Sequence, residues 1–201
     1  MGVADLADYP WDAVAPYAER ARAHPDGIVD LSVGSPVDPT PAVVAAAIAA
    51  ATDAHAYPQT VGTPALREAI VRWYERRRGV TGLTTANVLP TIGSKELVAL
   101  LPLLLGLGSG DIVVHPRAAY PTYEVGARLV GAVPLAADDP AEWPAGTRLV
   151  WLNSPGNPDG RVRDAAALRA AVERVLRAAR MGCAVGCRRR AVGARARRDR
   201  W

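Results

Sequence analysis

The chain has 201 residues, half of them hydrophobic and 22% charged, which excludes a disordered polypeptide and allows a sizeable core. Its apolar run at 97–107 is too short to span a bilayer and lies between Glu96 and Asp111, so no membrane partner is expected. The net charge of +4 is unevenly placed: residues 181–201 hold seven Arg and one Asp, 7 − 1 = +6, leaving −2 for the first 180 residues, which argues against nucleic acid as a partner of the main body.

The opening MGVADLADYPWD is acidic and lacks a basic or apolar leader pattern, so no signal peptide is read and the cytoplasm is the expected compartment. Residues 11–24 have the pattern of an amphipathic helix closed by Pro25-Asp26-Gly27, and 28–33 form a short extended run ending in Gly34-Ser35-Pro36. Thr40-Pro41 offers a cap and a first-turn proline to an Ala-rich helix over 41–52. After a loop at 57–62, Thr63-Pro64 repeats that device for a helix reaching about Arg78 and stopped by Gly79.

From Asn87 the pattern alternates. Strands are expected at 88–92, 111–115, 132–135 and 148–152, and helices at 94–105, 120–130 and 164–180. Short apolar strands alternating with helices predict an α/β fold with a mostly parallel sheet sandwiched by helices. The expected organisation is an N-terminal helical segment at 1–27, a main α/β body at 28–180, and an Arg-rich appendage at 181–201.

In such sheets ligands bind beyond the carboxyl ends of the strands. The first such end is Thr91-Ile92-Gly93-Ser94-Lys95-Glu96, where Gly93 permits close backbone approach and a helix start attracts an anion. Alone, such a stretch more often marks a capped helix start with a solvated lysine. The next, from His115 to Tyr123, sets Tyr120 where its ring either stacks on a planar ligand or closes the helix start. The third is WLNSPGNPDGRV at 151–162, more Asn, Pro and Gly than a plain turn needs, with Asn157 held between Gly156 and Pro158. An anion cradle, an aromatic face and a fixed amide together suit a phosphorylated planar cofactor. Cys183 and Cys187 lack the further ligands a zinc site wants, so they are read as incidental thiols and no metal is expected.

Five motifs in order carry a family resemblance: L-S-V-G-S-P (31–36), Y-x-x-x-x-G-x-x-x-L-R-E-A-I (57–70), I-G-S-K-E (92–96), A-Y-P-T-Y (119–123) and S-P-G-N-P-D-G (154–160). With them the chain resembles the fold-type I, pyridoxal-phosphate-dependent aminotransferases of class I/II. The N-terminal stretch from Pro10 to Thr40 and AYPTYEVGARLVGA are similar to the actinobacterial N-succinyldiaminopimelate aminotransferases. That resemblance implies pyridoxal 5′-phosphate as cofactor, small amino-acid and 2-oxo-acid substrates, and a homodimer. The implied reaction is amino transfer between N-succinyl-LL-2,6-diaminopimelate and 2-oxoglutarate/glutamate in lysine biosynthesis.

It further implies that Gly93, Ser94 and Lys95 hold the cofactor phosphate, that Tyr120 stacks on the ring, and that Asn157 bonds its phenolic oxygen. Tyr57 would reach the phosphate of the partner subunit's cofactor, and Gly34 would lie by the substrate carboxylate. Asp159 departs from the Thr usual in the family at that place. The family's later Asp for the pyridine nitrogen, Schiff-base Lys and carboxylate-binding Arg have no counterparts, so no catalytic residue is assigned. The one lysine is Lys95. The tail MGCAVGCRRRAVGARARRDRW has the composition of GC-rich coding sequence read out of frame, which leads to the expectation of a truncated, inactive gene product. The alternative is a non-catalytic fragment or an Arg-tail nucleic-acid-binding protein. Reading the gene beyond codon 180 in the other two frames should reveal a D-E-C-Y-like strand and a Ser-Lys motif; neither frame containing them would refute the truncation.

Overall fold

The computed structural model describes residue 6, residues 10–31, residue 34 and residues 36–181. Cys183, Cys187, the Arg-rich tail and Ser32, Val33 and Ser35 of the first motif lie outside the described residues. Helices α1 (Pro10–Arg22), α2 (Ala42–Ala50) and α3 (Pro64–Arg78) come first. They are followed by α4 (Lys95–Leu104), β1 (Ile112–His115), α5 (Thr122–Leu129), β2 (Val133–Ala136), β3 (Thr147–Val150) and α6 (Ala165–Met181). The chain divides into two compact units, Ala13–Ile92 and one built on the chain from Gly93 onward.

In the first unit, local chemistry sets the limits of α3. Thr63 Oγ1 accepts the Leu66 N–H at 3.2 Å, Pro64 occupies the first turn, and Gly79 closes the helix in the left-handed conformation at φ 65. The expected Thr40 cap on α2 does not form. Pro41 is extended, with ψ 136, and itself takes the N-cap position without a side-chain hydrogen bond, so the helix starts one residue later. Residues 88–92 form no strand, contrary to the sequence pattern. Pro90 has no N–H for a ladder and instead packs against Gly62, where an added Cβ would lie 2.7 Å from Pro90 Cγ.

The second unit contains a three-stranded, wholly parallel sheet in the order β2-β1-β3. Val113 and Val114 are both completely buried, on opposite faces. Val113 packs with Ala127 of α5 and with Leu149 and Trp151; Val114 packs with Ala171 of α6 and with Trp143, Leu135 and Val150. Burying a valine side chain fully contributes roughly 1.5–3 kcal/mol. Here the two-residue strand period directs that contribution to both faces. The mostly parallel, helix-covered sheet expected from the sequence is thus present.

β1 and β3 pair with one irregularity: Ile112 matches Thr147, but Val113 matches Leu149, so Arg148 is an extra residue on β3. Its guanidinium lies 3.5 Å from the Asp111 carboxylate. The bulge keeps Leu149 on the α5 face with Val113 and Val150 on the α6 face with Val114.

α4 and α5 cross at Gly126. An added Cβ there would stand 2.9 Å from the Ala99 carbonyl oxygen and 3.0 Å from that of Val98, both backbone atoms. Alanine improves helix propensity by up to about 1 kcal/mol, but it would force the two helices apart. Gly126→Ala should therefore destabilise the unit by about 1–3 kcal/mol despite the gain in propensity. Thermal denaturation would report a fall in Tm; an unchanged or higher Tm would show that the crossing tolerates the methyl group.

Candidate functional site

Because the three strands run parallel, all three carboxyl ends open on one edge. β1 leads into 116–121, β2 into 137–139 and β3 into 151–163. His115, the last residue of β1, is buried, with Nδ1 2.9 Å from the Pro116 carbonyl oxygen. When protonated at Nδ1 it donates to its own chain, a structural role.

Tyr120 lies ahead of α5 rather than inside it, contrary to the expected helix start. Pro121 takes the N-cap position and Thr122 is the first helical residue, consistent with the bias against helical geometry just before a proline. The Tyr120 ring meets Tyr123 edge-on, with centroids 6.4 Å apart. Tyr123 in turn stacks on Trp151 of the β3 exit at 5.0 Å and 29°. A ladder of three rings thus bridges two strand ends. Burial raises the Tyr123 hydroxyl pKa above its ordinary value.

The loop containing Asn157 is braced by polar contacts. Asn153 Oδ1 accepts the Asn157 N–H at 2.8 Å, the Arg161 carbonyl accepts the Gly156 N–H at 2.9 Å, and Ser154 Oγ accepts the Arg163 N–H at 3.0 Å. Gly156 fits where a side chain would collide with the Asp159 carboxylate, which also accepts the Arg161 N–H. Asp159, the departure from the family pattern, is therefore part of the loop's internal bracing. Asn157 itself is exposed, at a concavity it shares with Pro116, Ala118, Asn153, Asp138 and Arg163.

Gly93, Ser94 and Lys95 form the entry to α4. Gly93 has φ 75 and open space where a Cβ would be, and Ser94 is the N-cap without a side-chain hydrogen bond to the helix. A helix start of this form carries backbone donors that lack intrahelical acceptors and attracts an anion. Tyr57 and Gly34 belong to the other unit. Tyr57 is 99% exposed, and Gly34 is exposed with nothing within 4 Å of an added Cβ.

Sequence reasoning missed Tyr123, Trp151, Asn153 and the pair Asp138–Arg163. Asn153 could have been found, since an Asn just ahead of a Pro/Gly loop is a common local acceptor. Asp138 and Arg163 lie on different connections and have no local signature. Among the described residues no group of three His, Cys, Asp or Glu side chains is placed to hold a metal, and no helix is long and apolar enough to cross a membrane.

The profile of the family described as aminotransferase class I and II matches residues 26–181. The 4-dedimethylamino-4-oxo-anhydrotetracycline transaminase OxyQ of Streptomyces rimosus is 54% identical over 166 residues, covering 82% of this chain and 46% of that protein. An LL-diaminopimelate aminotransferase of Dehalococcoides mccartyi is 31% identical over 176 residues, covering 80% of this chain and 45% of that protein. A crystal structure of an aminotransferase from Mycobacterium tuberculosis superposes with a TM-score of 0.75 at 30% identity, over 89% of this chain and 49% of that one. The chain spans about half the length of the curated relatives it matches. The profile match and the shared fold lead to one conclusion: the chain belongs to the class I and II aminotransferases, a fold-type I family that uses pyridoxal 5′-phosphate.

Proposed function

We propose that this chain is the cofactor-holding part of a transaminase by descent, whose substrate pair is N-succinyl-LL-2,6-diaminopimelate and 2-oxoglutarate/glutamate. The cofactor reading is supported by three features of the second unit: the α4 entry, the Tyr120–Tyr123–Trp151 ring ladder and the braced Asn157 loop. These fit the phosphate, the ring face and the ring oxygen of pyridoxal phosphate. When bound, the cofactor supplies the electron sink for amino transfer. Gly93 and Ser94 offer backbone and hydroxyl donors to the phosphate, Lys95 adds positive charge, Tyr120 covers the ring, and Asn157 donates to the ring oxygen.

Residues 28–180 form the partial large domain in this reading, with 1–27 as an N-terminal segment and 181–201 as an appendage. Tyr57 would complete the phosphate site of a second subunit in a homodimer, and Gly34 would line the approach of the substrate carboxylate. The cytoplasm is the proposed compartment. The LL-diaminopimelate relative supports a diaminopimelate-type substrate, while the N-succinyl group rests on the sequence resemblance. OxyQ's higher identity favours a second reading, in which the amino acceptor is a bulky cyclic ketone. Grafting residues 26–181 onto the remainder of the LL-diaminopimelate enzyme and comparing acceptors would separate the two. Preference for a tetracyclic ketone over 2-oxoglutarate would overturn the first.

The phosphate assignment predicts that millimolar inorganic phosphate or pyridoxal phosphate raises the Tm of the folded chain, and that Lys95→Ala diminishes the shift. Tyr120→Ala should weaken pyridoxal phosphate alone by roughly two- to tenfold, the equivalent of one lost aromatic stack. Equal weakening of inorganic phosphate would remove Tyr120 from the ring face.

The 201-residue chain is also expected to catalyse no amino transfer. Covalent attachment of the cofactor requires an amine aimed at its aldehyde carbon, and the single lysine, Lys95, opens α4 and is assigned to the phosphate in this reading. Borohydride reduction followed by peptide mapping should find Lys95 unmodified. Stoichiometric labelling of Lys95 together with glutamate-dependent transfer would overturn this.

A further inference from the structure

The internal hydrogen bonds of the Asn157 loop shape it, but they do not set where it stands over the sheet. A tie to other strand exits is made by Arg163, whose Nη2 lies 3.6 Å from Asp138 Oδ1. Asp138 follows β2, which lies on the far side of β1 from β3. The same carboxylate oxygen accepts the backbone N–H of Arg117 at 3.4 Å, in the β1 exit that leads to Tyr120. The Arg117 guanidinium is turned away, 3.0 Å from both oxygens of Glu142. One carboxylate thus joins the exits of all three strands. The Arg163 side chain is only 20% exposed and that of Asp138 37%, so solvent screens the pair less than a fully exposed one.

We propose that Asp138 and Arg163 are positioning residues, a clasp that holds the Asn157 loop at a set height relative to Tyr120 across the end of the sheet. The role toward the ligand rests on the reading that Tyr120 and Asn157 contact pyridoxal phosphate. The clasp itself does not. Neither residue touches the cofactor in this scheme. Arg163 acts through the loop backbone, and Asp138 acts through Arg163 and the Arg117 amide.

Hydrogen exchange on the 201-residue chain tests the clasp. Arg163→Ala and Asp138→Asn should each speed exchange of the amides in 153–163 by roughly fivefold, the factor matching about 1 kcal/mol for a partly screened pair. The Asn variant keeps an acceptor for the Arg117 N–H, which isolates the charge. The double variant should exchange no faster than either single one, because both remove the same contact. Arg163→Lys should restore part of the protection, and α4 and α5 should exchange as before. Titration followed by tryptophan fluorescence then compares pyridoxal phosphate with inorganic phosphate. The single variants should bind the former a few-fold more weakly and the latter unchanged, since Gly93 and Ser94 are untouched.

Unchanged loop exchange, or effects that simply add in the double variant, would overturn the clasp whether or not the cofactor binds. A loosened loop with unaltered pyridoxal phosphate affinity would overturn the positioning role. Failure of the unmodified chain to bind pyridoxal phosphate at all would instead overturn the cofactor reading and the positioning role with it, leaving the exchange result to decide the clasp alone.

Discussion

Two adjacent valines with no exposed surface, Val113 facing α5 and Val114 facing α6, constrain the register of the sheet in the second unit. A strand buried on both faces cannot slip by one residue without exchanging every side chain between two differently shaped layers. Register is therefore tightly specified along β1, and its neighbours follow. Val113 opposes Pro134 and Leu149, and Val114 opposes Leu135 and Val150. Because all three strands are parallel, fixing their register also places their three carboxyl ends together.

What leaves that edge must turn sharply, and the turns use local polar chemistry because no ladder partner is available there. Asn153 and Ser154 accept backbone N–H groups of the β3 exit, Asp139 Oδ1 accepts the Ala141 N–H after β2, and Asp138 receives Arg117. Loops braced in this way hold a side chain steady without burying it. That is the condition for exposed groups such as Asn157 to meet a ligand with little loss of conformational entropy on binding.

The opposite side of β3 has another character. Trp143, Leu152, Val172, Val175 and Leu176 line an apolar groove between β3 and α6, and Val172 and Leu176 remain about half exposed. β3 is an edge strand among the described residues, and edge strands with apolar flanks favour association. The polar end of the sheet and its apolar flank are thus two distinct surfaces of one small unit.

Much of the architecture was legible in the sequence because it depends on neighbours in the chain. The cap and stop of α3 need only Thr63, Pro64 and Gly79, and the alternation of apolar strands with helices predicted a parallel sheet. The same local reasoning failed at 88–92, where an apolar run looked like a strand but Pro90 lacks a ladder donor. It failed again at Tyr120, which Pro121 keeps out of the helix. The sequence alone determined which residue types follow the strands and open α4, and so the candidacy of Tyr120 and Asn157 at strand exits and of Gly93, Ser94 and Lys95 at a helix start that no strand directly precedes. Only the tertiary structure decided the strand order β2-β1-β3, the stacking of Tyr123 on Trp151 and the meeting of Asp138 with Arg163. Those depend on side chains brought together by sheet register across long stretches of chain, and no periodicity or short motif encodes such distances.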